Sequence, residues 1–523
     1  MTSQSEKLSL VEGSLAKLAS WPSLYWILSA ILIYQIIRHL QQIFRSDLRN
    51  IPGPTTARLT SYWRPWVLLG GQCPEVYYNL HREYGPLVRT APNVVSISDP
   101  SAIPKIYGIG SKFHKSLFYT VFDVAYQNSF MPSMFSVRSP PQHQALRRPV
   151  AQKFSMTAIK AMEPFAEDGI DIFIAAMKDL QGQKVDFGEW LQWYAFDVIS
   201  AMTFHRRFGF MEERRDVENM IGDISTGLVG AATVGQVPEW HGWLMGSKWL
   251  PWILGTQPFF RVPDPLRTVV KFTEDCIAEY DRHPPQEDRP DLMGWLRQVS
   301  VKGEAMPDKD FVNHLSNNLL AGSDTTAISL RAIIYYLVQN PHCYKKAQAE
   351  VDAADQNGQL SNHISYAECL QLPYLQAVMK EAMRCHPGVS YPLERLVPAG
   401  GEVICGQYMK EGTIVGINAA VIHRNTEIFG EDALQFNPER WLGSDEERIK
   451  NMDRNLMTFG YGSRTCIGKN ISIMEMGKLV PTILREFDLE WASDEPNWRV
   501  YSYWFARQEG LILRLKSRIK EDR

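Results

Sequence analysis

From Asp308 to Gln339 the chain carries one uninterrupted helical pattern. Pro307 precedes it, Asp308 is placed to cap it, and Asn340-Pro341 closes it, because proline excludes α geometry from the residue before it. A helix of about thirty residues rises roughly 45 Å, enough to cross a whole domain. The rest of the chain must pack around such a rod. Its middle is poor helix sequence, Ala321-Gly322-Ser323-Asp324-Thr325-Thr326, with a glycine, a serine, an aspartate and two β-branched residues together. The run predicts a local opening, in which a threonine hydroxyl displaces a backbone bond and leaves a polar groove beside an apolar pocket. Residues 317, 321 and 325 share one face of the helix. A kinked core helix would read the same way.

Near the C-terminus stands Phe459-Gly460-Tyr461-Gly462-Ser463-Arg464-Thr465-Cys466-Ile467-Gly468. A single cysteine is framed by glycines and an arginine, and a helical stretch follows through Val480 to Phe487. The early glycines let the backbone turn tightly and approach a flat ring. Backbone N–H groups and the positive end of the following helix favour sulfur as an anion. Gly468 removes a side chain where the helix must pass close to that ring, and Arg464 can pair with a carboxylate on it. These are the requirements for presenting a thiolate, Cys466, to the iron of a haem, with Phe459, Gly460 and Gly468 shaping the cradle. The plainer alternative is a buried structural cysteine in a glycine-rich turn.

Glu381 and Arg384 stand at i, i+3 in Glu381-Ala382-Met383-Arg384. Their neighbours Tyr374, Leu375, Val378 and Met379 are apolar, and a buried pair must be fully hydrogen-bonded or it costs several kcal/mol. A third member is offered by Arg440 in Asn437-Pro438-Glu439-Arg440-Trp441.

The ten-residue cysteine pattern F-x-x-G-x-R-x-C-x-G is matched at every fixed position. It resembles the haem-binding loop of the cytochrome P-450 monooxygenases, and the resemblance covers nearly all of the chain beyond its N-terminal apolar run. It is similar to the membrane-bound fungal type of secondary metabolism, the pisatin-demethylase-like kind, in Ser111 to Ser116 and Ala195 to Val198. The resemblance implies a mainly α fold with small β-sheets and a long central helix over haem b. It implies that Ala321 is the small residue above the iron, that Thr325 hydrogen-bonds dioxygen and that Asp324 relays protons. Glu381, Arg384 and Arg440 correspond to the E-x-x-R and P-E-R elements, which lock the segment bearing the cysteine loop. Arg395 resembles a propionate partner. His143 and Arg147 stand where many members have W-x-x-x-R; histidine replaces the tryptophan.

Formal net charge is −3, so no strongly basic field is available for nucleic acid. The scattered cysteines never form C-x-x-C; neither a disulfide framework nor a zinc site follows. His241 and His283 have no second ligand at a suitable spacing, and Val421 to Asn425 only superficially matches a kinase loop. Trp21 to Ile37 is an apolar run just long enough for a bilayer. Arg38, His39, Arg45 and Arg49 follow it, so the positive side places the catalytic domain in the cytosol. The expected organisation is a polar segment at 1–20, a transmembrane anchor at 21–44, a proline-rich hinge at 45–60 and a catalytic domain at 61–523. The expected location is the endoplasmic reticulum membrane, single-pass.

Strands are expected at 87–90 and 94–98, at 391–397, 403–408 and 413–418. Helices are expected at 142–154, through 156–204 and at 365–384, with a Trp- and Pro-rich loop at 239–265. The implied chemistry is monooxygenation of an apolar small molecule by a monomer. Electrons come from NADPH through NADPH-cytochrome P-450 reductase, with cytochrome b5 as an optional second donor, and the oxygen comes from O2. Substrate is expected between the long helix, the 117–135 loop and Val389-Ser390. A basic patch with Arg148, Lys153 and Lys469 is a candidate reductase face. The rivals are a haem-thiolate isomerase and a non-enzymatic haem sensor.

Overall fold

The computed structural model describes residues 21–126, 129–237, 267–283, 291–301 and 303–518. The polar segment at 1–20 and the loop expected at 239–265 lie outside them. The helices used below are α1 (Trp21–Ile43), α2 (Trp63–Leu69), α3 (Pro140–Arg147), α4 (Glu163–Asp179), α5 (Phe187–Phe204), α6 (Met220–Gly235), α7 (Asp308–Gln339), α8 (Pro373–Cys385) and α9 (Lys469–Glu486). The strands are β1 (Leu87–Ala91), β2 (Val94–Ile97), β3 (His114–Lys115), β4 (Arg395–Leu396), β5 (Ile414–Ile417), β6 (Arg499–Ser502) and β7 (Ala506–Glu509).

Helix α7 has the bounds its sequence predicts, and most of its length is buried. It packs against α5, α8 and α9. Asp308 is the first helical residue rather than the cap; Pro307 holds the cap position without a side-chain bond. The helix runs unbroken through Ala321–Thr326, so the expected opening is limited to the Thr325 hydroxyl, which donates to the Ala321 carbonyl at 2.8 Å. A hydroxyl bonded back to i−4 satisfies itself without breaking the ladder.

One mixed sheet has the order β1-β2-β5-β4-β3. β1 and β2 are antiparallel, β2 and β5 parallel, and β4 is antiparallel to both β5 and β3. This sheet brings Lys115 and Arg395 together as cross-strand partners. β6 and β7 form a separate hairpin.

Several expected elements are shorter. The helix expected at 142–154 ends at Arg147 and resumes as a 3-10 turn at Ala151–Phe154, because Pro149 lacks an N–H and blocks the helix behind it. The stretch 156–204 is broken by the strand Lys184–Asp186. The stretch 365–384 is split into a Ser365-capped turn, Tyr366–Cys369, and α8, which starts at Pro373. The strand expected at 403–408 is a hairpin of Glu402–Ile404 and Gln407–Met409, turning where Gly406 has φ 77°.

The apolar N-terminal run forms α1. Among the described residues, however, no helix is long and apolar enough to cross a membrane. The expected spanning segment at 21–44 is therefore corrected: Gln35, Arg38, His39, Gln41 and Gln42 crowd its C-terminal half, and a span needs about 20 mostly apolar residues. The segment after it is pinned to the body. Arg89 N–H donates to the Pro52 carbonyl at 2.7 Å, and a Cβ at Gly53 would meet the Arg89 carbonyl at 2.3 Å.

Candidate haem site and its neighbours

The cysteine loop is closed by a bond from Cys466 N–H to the Phe459 carbonyl, 2.9 Å. Gly460 and Gly462 adopt φ of 73° and 64°, a region that L side chains enter only with strain. Gly462 is doubly constrained, because a Cβ there would meet the Tyr107 carbonyl at 2.0 Å. The Cys466 side is exposed, yet burial among the surrounding protein pushes its thiol up from the ordinary value. Both hold if the sulfur faces an interior opening. The N–H groups of Gly468 and Lys469 and the charges of Arg147 and Lys469 act in the other direction, toward the thiolate.

Beside this loop lies a cavity of about 420 Å³, lined by Lys115, His143, Arg147, Arg148, Arg395 and Arg464 among others, with no carboxylate in its lining. Arg147 donates to the Thr465 carbonyl at 2.9 Å. Arg464 donates to the Val137 carbonyl at 2.8 Å. Arg395 donates to the Tyr119 hydroxyl at 3.2 Å and to its neighbour's carbonyl. His143 is buried; burial first, then Arg464, Arg147 and Lys115, push it down to about 3.

Sequence reasoning does not single out Lys115. It is 5% exposed, donates to the Phe135 carbonyl, and lies 4.0 and 4.1 Å from the ring centres of Tyr119 and Phe135. Burial, with Arg395 and Arg464 nearby, drives its ammonium well below the usual lysine range. Buried cations without an anion are costly. The donor set therefore fits a bound group that brings carboxylates of its own. A single lysine in Phe113-His114-Lys115-Ser116 gives no periodic signal for this; only the β3–β4 pairing shows it.

The Glu381 carboxylate is fully engaged. It accepts from Arg384 at 2.7 and 2.8 Å, from Arg440 and Trp441 at 2.9 Å each, and from Asn437 N–H at 3.0 Å. Burial is opposed by Arg384 and Arg440, which hold the carboxyl below its ordinary value. Arg384 also donates to the Ala433 and Gln435 carbonyls at 2.7 and 3.0 Å. His423, from the segment with the superficial kinase-loop match, links this cluster to the cysteine loop. Its Nδ1 lies 3.0 Å from the Arg384 carbonyl, and its Nε2 lies 2.8 Å from Met457 N–H.

On α7, Asp324 accepts from Gln192 Nε2 at 2.6 Å, and burial raises its carboxyl. Ala321 is exposed and Thr325 half-buried. One residue on, Thr326 and Ser472 hydroxyls meet at 2.8 Å, tying α7 to α9 next to the cysteine loop. The structure thus gathers Arg147, Arg395, Arg464 and His143 in one cavity beside Cys466. It keeps Ala321, Asp324 and Thr325 together on the neighbouring helix.

The family description Cytochrome P450 matches residues 52–513. The chain is a cytochrome P-450. Curated relatives agree along nearly the whole length. Cytochrome P450 monooxygenase cicH of Emericella nidulans is 35% identical over 91% of this chain and 95% of its own. Cytochrome P450 monooxygenase gsfF of Penicillium aethiopicum is 35% identical over 90% and 94%. Pisatin demethylase of Fusarium vanettenii is 34% identical over 96% and 95%. This cytochrome P-450 is accordingly a haem-dependent monooxygenase, an oxidoreductase that incorporates oxygen from O2 with electrons delivered by a reductase.

Proposed function

We propose that this enzyme inserts one oxygen atom into an apolar small molecule during biosynthesis of a secondary metabolite. The observation that carries the site assignment is the carboxylate-free cationic cavity beside Cys466. Cys466 would supply the thiolate that binds the iron of haem b. Arg464, Arg395, Arg147 and His143, with Lys115 added, would hold its propionates. Phe459, Gly460 and Gly468 would shape the cradle, and Glu381, Arg384 and Arg440 would brace it. When bound, the haem supplies the oxidising power that no amino-acid side chain has.

The chain's own groups do the rest. Thr325 is half-buried with its hydroxyl on the Ala321 carbonyl, so it can turn toward the opening and hold a proton there. Asp324 replenishes that proton from the far side. Ala321, small and exposed, would leave room for the bound group beside α7. A buried aromatic cluster would help exclude water: Phe118 stacks on Tyr391 at 5.7 Å, and Trp504 lies 5.1 Å from Phe118 and 5.3 Å from Phe122. The substrate lies between α7, the 117–135 loop and Val389-Ser390, with Trp504 from the β6–β7 turn as a further wall.

The electron source is NADPH through its reductase, with cytochrome b5 as an auxiliary donor, and the enzyme works as a monomer. Arg148 and Lys469 are exposed and suit an acidic reductase face. Membrane association at the endoplasmic reticulum, with the catalytic domain in the cytosol, is supported by exposed Trp26, Leu32, Ile33, Ile36 and Ile37 on α1, and by Trp66 at 80% exposure on α2. Such apolar area is unusual on a water-facing surface. Residues 45–60 form the proline-rich connection from α1 to the body, held against it at Pro52 and Gly53.

The test is co-expression with a fungal reductase and a panel of terpenoid, polyketide and alkaloid precursors under isotopically labelled dioxygen. Gain of one labelled oxygen atom, or a matched loss of hydrogen, is expected for at least one compound. Isomerised product without label or NADPH use would contradict the reading. Cell fractionation should place the protein with the microsomal membranes, and recovery in the soluble fraction would contradict membrane association.

A further inference from the structure

Gln192 lies on α5, faces the central helix, and is 4% exposed. Its side-chain amide is used at both ends. Nε2 donates to Oδ1 of Asp324 at 2.6 Å, and Oε1 accepts from Nη2 of Arg331 at 2.7 Å. Arg331 can only donate, so the amide cannot be reversed without placing two donors face to face. Arg331 is itself anchored, because its Nε donates to the Gly188 carbonyl at 2.7 Å. A Cβ at Gly188 would approach that Nε to 3.2 Å, so the small residue keeps the bond open. Asp324 and Arg331 stand at i, i+7 on one face of α7. Gln192 spans the gap between them from the neighbouring helix.

Asp324 also borders a second cavity, of about 200 Å³, between α6, α7 and the β6–β7 hairpin, shared with Ser225, Ile328, Arg331, Tyr503 and Arg507. Arg507 Nη1 donates to the Ser225 hydroxyl at 2.7 Å. The charged groups acting on Asp324 are Arg331 from its own helix and Arg507 from β7. Glu509 of β7 lines the same cavity. Glu189 of α5 and Asp186 just before it act on Arg331. The polar group from α6 is the uncharged Ser225.

We propose that Gln192, anchored by Arg331, is a positioning residue for proton delivery: it pins one oxygen of Asp324 and leaves the carboxyl open to the 200 Å³ cavity, through which protons enter. The inference rests on the reading of Asp324 as the proton relay. A proton taken up from the cavity side protonates the carboxyl; the same carboxyl releases a proton toward Thr325 and returns to its starting state. No electrons move in this step. The pinned oxygen fixes the direction of transfer, since a carboxyl free to rotate would point away from Thr325 for much of the time.

Two variants separate positioning from packing. Gln192→Leu removes both bonds and strands Arg331. Gln192→Glu keeps an acceptor for Arg331 but cannot, when ionised, donate to Asp324. The holoenzyme is assayed with purified reductase for NADPH oxidation across pH, in H2O and D2O. In parallel, the C=O stretch of protonated Asp324 is followed by difference infrared spectroscopy and assigned by its loss in Asp324→Asn. A donor that stabilises the carboxylate lowers its titration point, so its removal moves both the infrared titration and the pH profile upward by about one unit. The solvent isotope effect rises in both variants. In the Asp324→Asn background, adding Gln192→Leu makes no further difference to it. An unmoved infrared titration and pH profile in Gln192→Glu, with Asp324→Asn still altered, overturns the role of Gln192 alone. An Asp324→Asn enzyme with the wild-type pH profile and isotope effect overturns the relay, and this proposal falls with it.

Discussion

His423 accepts the backbone N–H of Met457 at 2.8 Å through Nε2. Its Nδ1 must then carry the proton and donate to the Arg384 carbonyl at 3.0 Å. One neutral imidazole thus joins the buried Glu381–Arg384–Arg440 cluster to the segment entering the cysteine loop. Met457 in turn accepts from Gly460 N–H at 2.9 Å. His423→Phe should leave both backbone groups unpaired and cost about 1–3 kcal/mol. Thermal unfolding with haem loss as a second readout checks it. A variant with wild-type melting and haem retention would remove His423 from this role.

The same histidine should make the fold acid-labile. Burial, with Arg384 beside it, pushes His423 down to about 3; burial pushes His81 and His386 down to about 4. An unfolded histidine titrates near 6.5. Between those values the unfolded chain binds protons that the folded chain refuses, so stability is full above about pH 6.5 and falls below it. Each such group removes about 1.4 kcal/mol per pH unit across its window. Denaturant midpoints measured from pH 7.5 down to about 5 should fall steadily, and His423→Gln should flatten the slope.

Glu381→Gln should be severe. It leaves Arg384 buried with no carboxylate and Arg440 with Asp432 alone, both arginines at or near zero side-chain exposure. Losing one partner of such a cluster costs about 3–5 kcal/mol. Little soluble haem-loaded protein is expected, and a normal yield would contradict the bracing role.

Lys115→Met should have opposite effects in two states. Without haem it removes a buried amine whose ammonium form has no acid partner, and the protein should melt above wild type. With haem it removes a propionate donor, and transfer of haem to apomyoglobin should be faster than in wild type. Equal transfer rates would deny Lys115 a place at the propionates.

Thr325→Ala should go on consuming NADPH with a substrate found in the precursor panel, while releasing peroxide and less product. Tight coupling in that variant would take Thr325 out of proton delivery.

What is local is legible in the sequence. The α7 bounds follow from Pro307 and Asn340-Pro341, and the cysteine loop follows from contiguous glycines. Breaks escape notice where one proline outweighs a good pattern, as at Pro149 and Pro373, and where Gly406 turns one expected strand into a hairpin. Site residues supplied from afar are silent. Lys115 reaches the cationic cavity only through pairing with Arg395, His423 acts on Met457, and Gln192 meets Asp324, each across a separation that no periodicity encodes. The expected membrane span fails because the apolar first half of α1 says nothing of the polar half that follows.

The most direct measurement is the absorption spectrum of the purified, dithionite-reduced enzyme under carbon monoxide. Thiolate ligation by Cys466 predicts a Soret band strongly shifted to the red, and its loss in Cys466→His with haem retained. A folded, haem-loaded wild-type protein that shows only the unshifted band would contradict the assignment of Cys466 as the iron ligand.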